Sequence, residues 1–239
     1  MAEVPSQFIG LWKAIFDYND YERERFVAEL ARSLPPNTRV LDAGAGPCRY
    51  KPMFSHCDYK SQDFAKYTGT DHSYGELDYV GDITAITAAD GVFDFILCTE
   101  VFEHIPRPDL AVAEFARLLS PGGRLVITAP LGSGIHMPPY HFYGGFTPYW
   151  YEHFLSAVGL QIESIRPNGG FFKLYGQESR RFLSKLTPKG AMARALFFPV
   201  KLLMALWFRL IVPVACYVFD RWDENPEFTA GYFVCARKV

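Results

Sequence analysis

No C-x-x-C pair occurs in the 239 residues, and the five cysteines (Cys48, Cys57, Cys98, Cys216, Cys235) are scattered and odd in number. That usage argues against a disulfide framework or a zinc knuckle and fits a reducing compartment. An excess of one charge is also missing. With 24 basic and 26 acidic residues the formal net charge is −2, so no broad grip on nucleic acid is implied and no nucleic-acid partner is expected. The opening MAEVPSQFIG has no basic stretch running into an apolar one, so no signal peptide is read and a cytoplasmic protein is expected. Repeats and low complexity are absent too. Instead 49% of the residues are hydrophobic and 16% aromatic, which is enough apolar surface to offset chain entropy and excludes disordered and collagen-like classes. At roughly 100–200 residues per domain, the length gives one large domain or a domain with an appendage.

From Arg39 onward, short apolar runs alternate with helical segments, the pattern of a parallel α/β sheet. Strands are expected at 39–43, 59–63, 78–82, 93–98, 123–129, 160–165 and 232–238. Before them, Tyr21 to Leu34 has Phe26, Leu30 and Leu34 at helical spacing and stops at Pro35-Pro36, which reads as a lid or packing helix. A second helix from Pro108 to Leu119 should turn Leu110, Ala113, Phe115 and Leu118 inward and end at Ser120-Pro121-Gly122-Gly123.

Between Gln177 and Tyr217 the alternation breaks down. Seven bases (Arg180, Arg181, Lys185, Lys189, Arg194, Lys201, Arg209) face the single acid Glu178. The second half, ALFFPVKLLMALWFRLIVPVACYVF, is 25 residues long but carries Lys201, Arg209, Pro199 and Pro213. A spanning helix wants about 20 largely uncharged residues, and each central Lys or Arg costs about 2.5–3.5 kcal/mol, so lying in a membrane interface is expected over crossing it. The other reading is a buried helix that covers the sheet or forms the face of a homodimer.

The first strand-to-helix turn reads VLDAGAGPCRY. Gly44 and Gly46 let the backbone turn sharply and approach a ligand at the carboxyl edge of the sheet. A dinucleotide fingerprint would need glycine where Arg49 stands, and a phosphate-binding loop would need a G-K-S/T ending. Asp42 at the strand end would repel a pyrophosphate and attract a cation such as a sulfonium or ammonium. Asp63 closes the next strand, where a carboxylate can accept both hydroxyls of a ribose, and Asp82 with Ile83 follows the third, suited to an adenine amino group and ring face. Taken singly, each acid is also an ordinary turn or capping aspartate.

With VLDAGAG, these strand-end acids, FDFILCTEVFEHI and LLSPGGRLVITAP, the chain resembles the class I S-adenosylmethionine-dependent methyltransferases over about residues 38–166 and again at TAGYFVCARKV. The resemblance implies a Rossmann-like α/β sheet of seven strands with the last antiparallel, here with a helical basic and apolar insertion before that strand. It implies that Asp42, Ala43, Gly44 and Gly46 flank the methionine part of S-adenosylmethionine, that Asp63 holds ribose, that Asp82 and Ile83 hold adenine, and that Cys98 lines the methionine side. Cys48 stands where the family often has a third glycine. PPYHFYGGFTPYWYEHFLSAVGL and the GGFF turn further resemble type 11 members thought to serve glycan or small-molecule biosynthesis. The expected organisation is an N-terminal helical lid (1–37), a methyltransferase domain (38–176 and 228–239) and a helical insertion (177–227).

Methyl transfer to a hydroxyl needs a base or a metal. On a helical turn Glu100, Glu103 and His104 would share one face and could hold a hard divalent ion such as Mg²⁺. This E-x-x-E-H resembles the metal motif of ubiquinone-pathway and small-RNA O-methyltransferases, whose further histidine His141 could supply. A Glu103–His104 ion pair that merely stabilises the loop is the alternative. The loop Leu131–Thr147 follows the fifth strand and should roof the acceptor site with His136, Tyr140, His141 and Tyr143. His104, His141 and Glu103 are therefore the candidate catalytic groups, acting on a small-molecule, glycan or lipid-linked acceptor at the inner face of the membrane, with peripheral contact through 177–217. A short-chain reductase is excluded because no Y-x-x-x-K pair exists. A non-catalytic S-adenosylmethionine-binding subunit or a membrane scaffold stays open.

Overall fold

A computed structural model describes residues 6–69, 73–224 and 227–239. The first residues of the leader reading, MAEVP, and positions 225–226 of the expected insertion lie outside the described residues. The chain divides into two compact units, a helical one (residues up to Glu24 with Asn168–Ala230) and a sheet unit (Arg25–Pro167 with Gly231–Val239). The borders thus fall at 24/25, 167/168 and 230/231 rather than at 37, 176 and 227.

The sheet unit holds seven strands, β1 (Arg39–Ala43), β2 (Asp58–Asp63), β3 (Tyr79–Val80), β4 (Phe93–Thr99), β5 (Leu119–Pro130), β6 (Leu160–Pro167) and β7 (Gly231–Lys238). Their order is β3-β2-β1-β4-β5-β7-β6, with β7 antiparallel to both of its neighbours. Successive side chains on a strand point to opposite faces, and the sequence uses both. Leu41, Ile96, Leu125 and Ile127 build a core on one face, while Val40, Phe95, Leu97 and Val126 build a second core on the other. Parallel strands buried on both sides must be apolar along their whole length, which is why VL, FILC and LVITA were readable as strands.

Each face is closed by helices. The part of α2 (Tyr18–Ser33) within the sheet unit puts Phe26, Val27 and Ala31 into the second core, and Phe26 stacks on Phe233 at 4.6 Å. Over the first core lie α3 (Pro108–Leu118) and α4 (Pro148–Ala157). Thr147 caps α4 by accepting the Trp150 N–H. The buried face of α3 is not the expected one. Ala111, Val112, Phe115 and Leu118 point inward, whereas Leu110 is 44% exposed and Ala113 is exposed. The rotation follows from Glu114, which is buried and accepts the Ile86 N–H (2.7 Å) while its carboxylate is held by Arg117. Ser120-Pro121-Gly122-Gly123 does not end the helix, which stops at Leu118. The four residues form the bulged start of β5.

The helical unit contains α1 (Ser6–Phe16), α5 (Phe171–Lys185), α6 (Ala191–Leu206), a π turn at Trp207–Ile211 and α7 (Val212–Phe219). The unpaired N–H groups that open α5 are capped from fifty residues away. Asp220 accepts from Gly170 (3.1 Å) and Lys173 (2.9 Å), and Asp223 accepts from Phe171 (2.7 Å). A Cβ on Gly170 would lie 2.2 Å from the Asp223 carboxylate, so the close approach needs glycine there. The π turn has an equally local cause. Val212 N–H donates back to Trp207 and Pro213 has no N–H, so the Phe208 carbonyl lacks a helical donor. Ser179 supplies one from α5 at 2.9 Å. The helical run Ala191–Trp222 has 32 residues and a mean hydropathy of 2.1 in its most apolar stretch, and is the one described helix long and apolar enough to cross a bilayer. No residue of α6 is buried.

The inward face of α3 makes a direct test. Phe115→Ala should lose about 3–5 kcal/mol, as large core truncations do, and Leu110→Ala no more than about 1 kcal/mol. Urea midpoints at unchanged slope measure both. Equal losses would mean that the Leu110 face is packed.

Candidate functional site

β1 ends in a buried carboxylate. Asp42 is 1% exposed and accepts from the Tyr59 hydroxyl at 2.6 Å. Burial pushes its pKa up to about 7, the Tyr59 bond pulls it back and Asp63 pushes it further up. The chain then turns at Gly44 (φ +78°), where a Cβ would lie 2.4 Å from Val101 in the loop after β4. Only glycine lets these two loops meet. Gly44 and Ala45 both donate to the Gln62 carbonyl (2.8 and 2.9 Å), and Gly46 donates to Asp63 Oδ2 (2.9 Å). Asp63 Oδ1 accepts from Ala65 (3.1 Å). An ionised carboxylate offers about four acceptor positions, so two remain for a pair of hydroxyls.

The other expected cofactor residues divide. Asp82 is exposed and its Oδ1 accepts the Thr84 N–H (2.9 Å) and hydroxyl (2.8 Å), which makes it the turn aspartate and leaves Oδ2 as acceptor for an amino group. It lines a cavity of about 270 Å³ together with Gln62, Gly81 and Ile86. Ile83 packs in the core beside Ile86 and Phe93. Ala43 and Cys98 are fully buried in that same core, so they shape the edge from behind and present no side-chain surface to it.

The residues after β4 come together differently from a helical turn. Phe102–His104 is a single 3₁₀ turn, and Glu100 precedes it in the left-handed region (φ +53°), with its carboxylate accepting from the Thr128 hydroxyl at 2.9 Å. Glu100 therefore stands before the turn rather than on one helical face with Glu103 and His104. The loop over 131–147 meets that turn. Its base is pinned where Phe146 N–H returns to Pro130 (2.8 Å), and its middle where Phe142 N–H donates to the Glu103 carbonyl (2.8 Å). Tyr140 packs edge-on against Phe64, just past Asp63, at 5.0 Å.

This folding delivers three imidazoles to one place. The ligand nitrogens of His104, His136 and His141 all lie within 4.8 Å of one another. His104 Nδ1 donates to the Tyr140 carbonyl and His136 Nδ1 to the Gly134 carbonyl, so in both rings the lone pair is on Nε2. Those two Nε2 atoms lie 3.8 and 4.0 Å from Glu103 Oε1, and Glu103 is 2% exposed. Two nitrogen lone pairs and a buried carboxylate converge, which is the donor arrangement of a proton or a cation site. His141 Nδ1 is buried without a hydrogen-bond partner, and desolvation, then His136, hold its pKa below the usual value. His136 belongs to this group although the sequence reading left it among the roof residues. Three imidazoles do not suit Mg²⁺, which prefers oxygen ligands, so the expected Mg²⁺ site does not fit this group.

A family profile described as a methyltransferase domain matches residues 15–183. The chain belongs to this family. It is a class I S-adenosylmethionine-dependent methyltransferase, and its strand order with β7 antiparallel is that of the fold. Among curated proteins the methyltransferase is similar to a sarcosine/dimethylglycine N-methyltransferase of Halorhodospira halochloris (26% identical, covering 56% of each chain). It is also similar to a ubiquinone biosynthesis O-methyltransferase of Xanthomonas oryzae pv. oryzae (32% identical, covering 38% of this chain and 42% of the relative). The chain thus spans about half the length of the curated relatives it matches. Among solved structures, a provisionally assigned sarcosine dimethylglycine methyltransferase from Galdieria sulphuraria superposes with a TM-score of 0.56 at 17% identity, over 91% of this chain and 86% of that one.

The residues fit the cofactor. S-adenosylmethionine is cationic at sulfur and at its amino group, and a carboxylate whose pKa is raised by burial is the group whose ionised form such charge favours.

Two outcomes follow for the methyltransferase. Asp63→Ala removes charge-assisted acceptors and should weaken cofactor binding by about 1.5–3 kcal/mol in calorimetry. For Asp42 the folded pKa lies above the usual carboxylate value, so it favours the protonated fold below about pH 4, and this stability is lost as pH rises through about 7. Cofactor affinity should therefore rise between pH 6 and 8 as Asp42 ionises, and Asp42→Asn should flatten that rise. An equal rise in both proteins would remove Asp42 from the site.

Proposed function

We propose that this methyltransferase transfers the methyl group to oxygen, with His104, His136, His141 and Glu103 as the group that takes the proton from an acceptor hydroxyl. The observation that carries the reading is the convergence of the His104 and His136 Nε2 lone pairs on Glu103 Oε1. Bound S-adenosylmethionine supplies an electrophilic methyl on a sulfonium. The chain's own task is to place an acceptor oxygen in line and to remove its proton, since a neutral hydroxyl is a poor nucleophile. His141, with its lowered pKa, is neutral at pH 7 and can accept that proton. An amine acceptor, once neutral, carries its own lone pair and needs no such cluster. The O-methyltransferase among the relatives supports this reading, while the N-methyltransferase relative makes amines the comparison to run.

A second reading has its own observation, the mutual approach of three histidine ligand atoms. It places a divalent transition ion such as Zn²⁺ or Mn²⁺ on the same four side chains, where it would lower the pKa of an acceptor hydroxyl as a Lewis acid.

The acceptor is a small-molecule, glycan or lipid-linked hydroxyl compound, and the protein works in the cytoplasm at the inner membrane face. The exposed apolar helix α6 supports peripheral membrane contact, and a homodimer through the same helix is the competing use of that surface.

The test pairs hydroxyl and amine acceptors of similar shape. Methyl transfer to hydroxyls is expected, with kcat falling roughly 10²–10⁴-fold in Glu103→Gln and His141→Ala. Transfer to amines alone, unaffected by these changes, would overturn it. Metal analysis of the purified chain and turnover in excess chelator separate the two readings. Bound metal and loss of turnover support the ion, and full turnover without metal leaves the histidines as the base.

A further inference from the structure

The helical unit presents a surface that water does not favour. None of the sixteen residues of α6 is buried, and Leu196, Phe198, Leu202, Leu203 and Leu206 are each more than half exposed. Its two charges, Arg194 and Lys201, are seven residues apart and so fall on one face. Arg209 follows in the π turn and is exposed. One basic stripe on an otherwise apolar helix is the composition of a segment that lies in a lipid interface with its charges reaching to water. α1 in the same unit exposes Ile9, Leu11 and Trp12.

Beside these helices the unit contains a cavity of about 690 Å³, lined from α1, the start of α2, α5 and the π turn. Four guanidinium groups stand around it, Arg23, Arg180, Arg181 and Arg209, against two acids, Asp17 and Asp20. Asp20 and Arg23 pair at 2.6 Å and offset each other, which leaves Arg180, Arg181 and Arg209 against Asp17 as the charges of the lining. Arg181 is shared with Glu178 at 3.2 Å, and Arg180 lies over the Phe16 ring at 5.7 Å. Trp12 and Leu210 supply apolar wall. The size falls within the range of about 300–1,000 Å³ for small-molecule sites. Several forked donors beside an apolar wall match a phosphate diester attached to a hydrocarbon, because guanidinium binds phosphate oxygens in pairs.

We propose that the helical unit docks on an anionic membrane leaflet, with α6 lying in the interface and the arginine-lined cavity seating the phosphate of an anionic glycerophospholipid. The cavity rests on the peripheral-membrane reading given above and adds a defined lipid site to it. Seven bases against one acid over 177–217 supply the charge complementarity to such a leaflet. Attraction of this kind is screened as the Debye length shrinks from about 10 Å at 0.1 M salt to about 3 Å at 1 M.

Flotation of the full chain with vesicles of phosphatidylcholine alone, and of phosphatidylcholine mixed with phosphatidylglycerol, tests both layers. Recovery is expected with the anionic vesicles at 0.1 M salt and should fall at 1 M. Arg180→Glu and Arg209→Glu, both exposed positions, should each lower anionic recovery about fivefold or more. Leu202→Glu with Leu203→Glu should abolish recovery on either vesicle, and circular dichroism checks that every variant is folded. If the arginine variants float like the unaltered chain while the leucine variant does not, the cavity is overturned and membrane contact stands. No flotation of the unaltered chain overturns both, and a dimer lost in the leucine variant would then identify a second copy as the cover of α6. Calorimetry with short-chain phosphatidylglycerol and with inorganic phosphate fixes the source, since equal binding of the two would overturn the lipid site.

Discussion

A carboxylate shut away from water with a tyrosine hydroxyl is a costly thing to build, and Asp42 is held in that state at the end of β1. The cost is tolerable in two ways only, by keeping a proton or by gaining a cation. Everything near it serves the second way. The glycine turn brings the β1 and β4 loops together, Asp63 braces that turn through the Gly46 N–H, and the Glu103 carbonyl draws the 131–147 loop over the same edge. The buried carboxylates of Asp42 and Asp63 and the histidine cluster are thereby brought to one edge from strand ends that are separated in sequence and adjacent in the sheet.

How much of this was legible depended on the physics behind each residue. Strands β1, β4 and β5 are apolar on both faces, and the acids and glycines that follow them mark where burial stops, so these strands and the edge they end on could be read directly. The inward face of α3 could not, because the buried Glu114 replaces an apolar residue with an ion pair that apolar periodicity does not register. Glu100 was misplaced for a similar reason. The chain enters a left-handed conformation there and only a 3₁₀ turn follows, so helical spacing had no meaning across it. His136 joins the cluster through loop hydrogen bonds to a backbone carbonyl, a determinant that no side-chain pattern encodes.

The helical unit is organised on another principle. Its helices are tied by satisfying backbone groups that sequence-local bonds leave open, Asp220 and Asp223 at the start of α5 and Ser179 at the Phe208 carbonyl. Such ties hold α5 to the π turn and to the turn that follows α7, while no residue of α6 is buried, so the apolar composition that would serve as core elsewhere is here surface.

The position of β7 between β5 and β6 has a consequence for how the chain is made. β6 pairs with no strand except β7, and β5 has one neighbour until β7 arrives. During synthesis at the ribosome, both strands must therefore wait with open edges while the whole helical stretch from Asn168 to Ala230 is translated. β7 then pairs on both sides, with β5 and with β6. Until then the nascent chain exposes two unpaired strand edges to pairing with other chains, and the interval is set by the length of the inserted helices rather than by the sheet itself.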